Sequence, residues 1–207
     1  GGGGSTSPPT TTTVTTTYTS QGDFNGTQGY RGWYYLSENE SELTYSTGQQ
    51  LWTGSELYQG IWSSGQHPGG TNGAMRRWVA QATGTFAITG LVFDADVSAS
   101  GNNVTATILK NDVAIYGPKT IVSGDSTGYT ISGVTGNCTA GDTFDFLVKG
   151  VGGIAFASTG LTASIALTTT TTTGGGSSTQ TTLPFLLNGT APEEGTYTLA
   201  ANKPSNA

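Results

Sequence analysis

The chain is poor in charge, thiol and imidazole, and each shortage excludes something. Seven Lys and Arg and thirteen Asp and Glu make 10% of 207 residues charged, against about 25% in ordinary soluble domains. The single cysteine, Cys138, rules out an internal disulfide and a Cys-based zinc site. The single histidine, His67, rules out a His-cluster metal site. The cations (Arg31, Arg76, Arg77, Lys110, Lys119, Lys149 and Lys203) stand singly apart from one pair, and the net charge is −6. Nucleic-acid binding needs a basic stripe, and none is present. No window reaches the roughly 18 apolar residues of a membrane helix, so no membrane span is expected. Long helices and coiled coils lack the Ala, Glu, Lys and Leu content they need.

What is present favours strands, turns and linkers. Glycine fills 33 positions and threonine about 39. With 34% hydrophobic residues, one real core is expected. Composition divides the chain into residues 1–20, a Thr/Gly-rich extension; 21–167, a domain holding all four Trp; 168–178, a Thr/Gly/Ser linker or strand; and 179–207, a short apolar hairpin-like segment.

The middle reads as β throughout. Leu161, Ala163, Ile165 and Leu167 alternate with Thr162, Ser164, Ala166 and Thr168, the period of a strand with one wet face. Phe144, Phe146 and Val148 behave alike. Val104–Ile108 and Val113–Tyr116 flank Lys110-Asn111-Asp112, a hairpin signal. Residues 74–82 have helix propensity, yet their alternation predicts a strand, with one of Arg76 and Arg77 facing inward or along an aromatic ring and the other facing solvent or Glu. Many short strands at this spacing predict an all-β fold, a jelly-roll or Ig-like β-sandwich with strand-forming tails.

Motifs for catalysis fail on inspection, and no catalytic residue is expected. Gly124-Asp-Ser126-Thr-Gly128 fits the nucleophile-elbow pattern, but strand-like residues follow it and the only His lies upstream. It reads as a turn. His67 reads as a loop histidine held by hydrogen bonds. Asp94 and Asp96 offer two oxygens to calcium, but the rest of a calcium loop is missing, so no cofactor is expected beyond that weak calcium option. Glu38, Glu40 and Glu42 read as a solvated loop, and Cys138 as a small buried apolar residue.

The aromatics have two readings. Trp33, Tyr35, Trp52 and Trp62 are the candidates for stacking on sugar rings, while burial in the core is the preferred role of this cluster. Consecutive strand residues point to opposite faces, so Trp33, Tyr34 and Tyr35 cannot all face one way. The segments Gly32-Trp33-Tyr34-Tyr35, Gln66-His67-Pro68-Gly69, Arg76-Arg77-Trp78-Val79, Gly84-Thr85-Phe86, Ile108-Leu109-Lys110-Asn111 and Ala140-Gly141-Asp142-Thr143-Phe144 resemble the jelly-roll, carbohydrate-binding-module-like sandwiches of secreted bacterial proteins. The resemblance covers residues 21–167 and implies a non-catalytic role in sugar binding or surface structure.

The tails carry the leading functional expectation. Five sequons place glycan acceptors at Asn25, Asn39, Asn103, Asn137 and Asn188, and the Thr runs (Thr10, Thr11, Thr12, Thr13; Thr168, Thr169, Thr170) suit O-glycans. Val14 and Tyr18 at one end, and Leu183, Phe185, Leu187, Tyr197 and Leu199 at the other, are candidate anchors for strand donation to a neighbouring copy. In its logic this resembles donor-strand pilus assembly. The expectation is a secreted or cell-surface, non-catalytic subunit of a glycosylated homopolymeric filament. The alternatives are a carbohydrate-binding module with linkers, or a fragment of an adhesin or surface-layer protein.

Overall fold

A computed structural model describes residues 8–96 and 100–174 in full and the backbone of 183–185 and 193–195. The strands are β1 (Thr10–Thr19), β2 (Trp33–Ser37), β3 (Thr44–Ser46), β4 (Leu51–Thr53), β5 (Gly60–Trp62), β6 (Gly65–His67), β7 (Ala74–Val79), β8 (Gly84–Asp94), β9 (Asn103–Lys110), β10 (Val113–Ile121), β11 (Tyr129–Cys138), β12 (Thr143–Val151), β13 (Thr159–Thr173), β14 (Leu183–Phe185) and β15 (Glu193–Gly195). One 3-10 turn, Tyr30–Gly32, precedes β2. A large sheet runs β11-β8-β13-β6-β5-β4-β3, with β1 also on β13, and a small sheet runs β10-β9-β12-β7-β2. The pairings with given register are antiparallel. The fold is an all-β, jelly-roll-class sandwich.

Chain contacts divide it into a main unit, Thr13–Thr170, and a smaller one of residues 1–12 and 171–207. In the main unit the inward rows of both sheets meet. Trp33, Tyr35, Trp78, Phe144 and Phe146 come from the small sheet, and Ile61, Ile88, Val92, Ile165 and Leu167 from the large one. Tyr35 stacks on Trp52 at 4.9 Å, and Phe86 meets Phe144 edge-on at 4.7 Å. Each such ring buries about 150–250 Å², which is why aromatics dominate a sandwich interior.

Strand β7 places Ala74, Arg76 and Trp78 inward, while Arg77 reaches out to Asp145 at 2.7 Å and Glu40 at 2.8 Å. The β9–β10 turn is Asn111-Asp112, both at positive φ (47° and 65°). That is the primed hairpin geometry, which Asn and Asp tolerate.

The N-terminal segment departs from its expected role. Strand β13 outruns β6, which covers only Thr159 and Gly160, and so leaves an open edge above. Strand β1 fills that edge within the same chain. Ser20 N–H donates to Ala163 O at 2.8 Å, and the Thr15 and Thr168 hydroxyls share a hydrogen bond at 2.8 Å. Partners fall in number on β13 as they rise on β1, so this pair is antiparallel too. Tyr18, expected as an anchor on a neighbour, is instead buried in its own core, 5.0 Å from the Trp78 ring. Val14 is 53% exposed. Arg31 closes the lower part of the β1 edge by donating to Thr17 O at 2.9 Å.

In the smaller unit the Thr11 and Thr172 hydroxyls pair at 3.4 Å. There the β14 residues Leu183 and Phe185 pair with Gly195 and Glu193. Leu187, Tyr197, Leu199 and Asn188 lie outside the described residues.

Candidate functional site

Three of the four expected sugar-stacking residues are core. Trp33 and Tyr35 are 1% exposed and Trp52 is 4% exposed. None has a free ring face, because inward strand positions are where the sandwich hides its large rings. Trp52 is also fixed by its indole N–H, which donates to Asn25 O at 2.9 Å.

Trp62 is different. Its neighbour Ile61 points inward at 0% exposure, so Trp62 points to the outer face of the large sheet, half-buried. There it heads a single transverse row. Trp62 on β5 pairs with Gly65 on β6, Gly65 with Gly160 on β13, and Gly160 with Phe93 on β8. Both rings lie down over the glycines. A methyl group at Gly65 would meet the Thr159 carbonyl oxygen and Trp62 Cζ2 (2.6 Å), and the three atoms nearest one at Gly160 all belong to the Phe93 ring. Glycine inside a strand marks such a close approach. The result is a low aromatic step: two rings flanking and covering a glycine floor.

The step is extended on the same face by His67, two residues after Gly65. The exposed ring of Tyr58 lies 5.9 Å from the imidazole. Tyr58 sits at φ 62°, a conformation L side chains rarely adopt. The loop holds it there: Gln59 N–H donates to Glu56 O, and the Glu56 carboxylate accepts from Thr71 N–H at 2.6 Å and the Asn72 amide at 2.6 Å. The Thr71 N–H, and after it the Asn72 amide, pull the Glu56 carboxyl below the usual carboxylate range.

Beneath the step lies Arg76, fully buried. Among the described residues its guanidinium has no carboxylate partner. It donates to the carbonyls of Trp62, Ser63 (3.3 Å), Gly65 (2.7 Å) and Ser20 (2.8 Å) and to Gln66 Oε1 (3.3 Å). Phe24 covers it at 5.8 Å. Burial pushes its pKa down to about 10, so it remains a cation at neutral pH. One residue therefore fixes the turn that carries Trp62, and ties it to the end of β1.

Above the step the outer face becomes a trough of small polar residues. The outward positions are Thr162, Ser164, Ala166 and Thr168 on β13, Leu91, Thr89, Ala87 and Thr85 on β8, and Thr130, Thr135 and Asn137 on β11. Three open hollows of about 190, 410 and 590 Å³ follow one another along it. At about 3.3 Å per residue, Gly160 to Thr168 spans about 27 Å. Among the described residues that line these hollows, the charged ones are Lys110 and Asp142 at the upper rim, paired with each other at 2.7 Å.

The remaining expected positions do not converge here. Ser126 lies on an exposed turn, where the Asp125 side chain accepts from Thr127 N–H and Gly128 N–H. His67 Nδ1 lies 2.7 Å from Pro68 O. Asp94 accepts from Asp96 N–H and Gly124 N–H. Among the described residues no group of three or more His, Cys, Asp or Glu is placed to hold a metal ion, and no helix is long and apolar enough to cross a membrane. Of the sequons, Asn39 and Asn137 are exposed. The side-chain oxygens of Asn25 and Asn103 are engaged by Thr27 N–H and Ser123 N–H.

Phe93, Tyr58 and the glycine pair were missed by sequence reasoning. Strand glycines were the available signal, but their pairing is set by register across distant strands.

No family model matches the chain, and no curated protein does. Solved structures are similar to the chain only at low identity and low TM-score. A family 35 carbohydrate binding module from Clostridium thermocellum is 15% identical, covering 64% of this chain and 96% of its own, with a TM-score of 0.32. A CBM35 from Paenibacillus barcinonensis is 14% identical, covering 74% and 98%, with a TM-score of 0.33. Pika GITRL is 17% identical, covering 65% and 92%, with a TM-score of 0.29. Likeness at this level concerns fold alone.

Proposed function

We propose that the chain is a non-catalytic, extracellular glycan-binding module that uses the outer face of its large sheet. The observation that carries this reading is the transverse row Trp62–Gly65–Gly160–Phe93, which lays two aromatic rings on a glycine floor at the mouth of a hydroxyl-lined trough. Stacking on an apolar ring face, with hydroxyls beside it, suits the amphipathic faces of a pyranose. The lone histidine is engaged by its neighbour's carbonyl and among the described residues no acid pair lines the trough, which supports binding without turnover. Retention on insoluble polysaccharides, compared between the intact chain and Trp62→Ala, tests it.

The filament reading keeps one specific support, the β14–β15 hairpin, which is too small to bury a core of its own. Strand donation by the N-terminus has lost its support, because β1 is engaged at home. Electron microscopy of the full chain, with and without residues 179–207, decides whether that hairpin links copies.

A further inference from the structure

Resting on that glycan-binding reading, we infer that the ligand is an extended, uncharged polysaccharide chain running along β13, rather than a short or acidic sugar. Three observations combine. The first is charge. From Gly160 to Thr168 the outward positions of β8, β11 and β13 carry no Asp, Glu, Lys or Arg. An acidic glycan would be desolvated there without a cation to meet it, which is costly. The one cation beneath the face, Arg76, already has five acceptors and is sealed from the surface.

The second is shape. Above the step Leu91 is the one large outward side chain on β8 and β13, and beyond it Thr89, Ser164, Ala87 and Ala166 keep the floor low. A site for a single terminal sugar needs walls, and this trough is a succession of hollows open to solvent over a length of about 27 Å. The third is chemistry. Hydroxyls stand outward at Thr162, Ser164 and Thr168 on β13, at Thr89 and Thr85 on β8, and at Thr130 and Thr135 on β11, on strands about 4.8 Å apart. Such an array offers donors and acceptors at intervals along a polyol chain, and each bond contributes little alone. Affinity should therefore accumulate with chain length.

The experiment is calorimetric titration of the full chain with hexa- and disaccharides of two neutral series, β-1,4-glucan and β-1,4-mannan, and with a hexamer of polygalacturonate. The expected result is that a neutral hexasaccharide binds at least ~tenfold tighter than its disaccharide, with affinity changing less than ~twofold between low and high salt. Ala166→Trp, placed in the trough above the step, should remove the length advantage, bringing hexasaccharide affinity down to that of the disaccharide. Equal affinity for hexa- and disaccharide, or tighter and salt-sensitive binding of polygalacturonate, overturns the inference while leaving glycan binding intact. No binding of any probe overturns both, and so separates the two failures.

Discussion

The guanidinium of Arg76 donates a hydrogen bond to the main-chain carbonyl of Trp62, from inside the sandwich to the turn that carries the outer aromatic step. A fully buried cation with no carboxylate partner is costly, and here five oxygen acceptors offset the cost. Arg76→Met leaves those acceptors unpaired. It should destabilise the domain by about 3 kcal/mol or more, read as a lower urea midpoint with unchanged slope. Arg76→Lys keeps the charge but not the fork, and should fall between the two.

Trp62 and Trp33 should separate binding from stability. Trp62→Ala removes a half-buried outer ring. Its expected effect is at least ~tenfold weaker glycan binding, with a melting temperature within a few degrees of the parent. Trp33→Ala empties a core position that is 1% exposed and should cost about 3–5 kcal/mol. Thermal denaturation beside a retention assay checks both.

Much of the scaffold was legible in the sequence, and most of the site was not. Alternation at 161–167 gave a strand in the correct phase, alternation at 74–79 gave a strand but not which of Arg76 and Arg77 faces inward, and Asn111-Asp112 marked its hairpin because those residues tolerate positive φ. The home of β1 was hidden, since a run of threonines fits any edge and the vacancy on β13 exists only in three dimensions. The aromatic step was hidden for the same reason: Trp62 and Phe93 meet through two glycines aligned by the register of four strands. Counting aromatics instead favoured Trp33, Tyr35 and Trp52, whose size made them core.

Gly160→Ala is a narrow test of that alignment. The three atoms nearest the new methyl all belong to the Phe93 ring, so the ring should lift while the sheet persists. Glycan affinity should drop several-fold, and chemical shifts should change mainly around Phe93 and Trp62.

Deleting residues 1–20 should destabilise the module rather than release monomers from a polymer, because it removes Tyr18 from the Trp78 contact and Ser20 from Arg76 and Ala163. Deleting residues 1–12 spares those contacts and should have little effect on the urea midpoint.

Acid should weaken the upper rim. Lys110, then the Asn111 amide and the Thr139 N–H, hold the Asp142 carboxyl at about 2, below its ordinary 3.8. A depressed carboxylate contributes stability that is present above the unfolded value and is lost as pH falls through the folded one. The loss belongs between about pH 4 and 2. Asp142→Asn should flatten that limb of the stability curve and lower stability at neutral pH.

The most direct test of the central claim is retention of the full chain on a panel of neutral insoluble polysaccharides, with and without the paired substitutions Trp62→Ala and Phe93→Ala. The account predicts that the parent is retained on at least one of them and that the double variant, folded to the same circular dichroism spectrum, passes through. Equal retention of the parent and the folded double variant would contradict it.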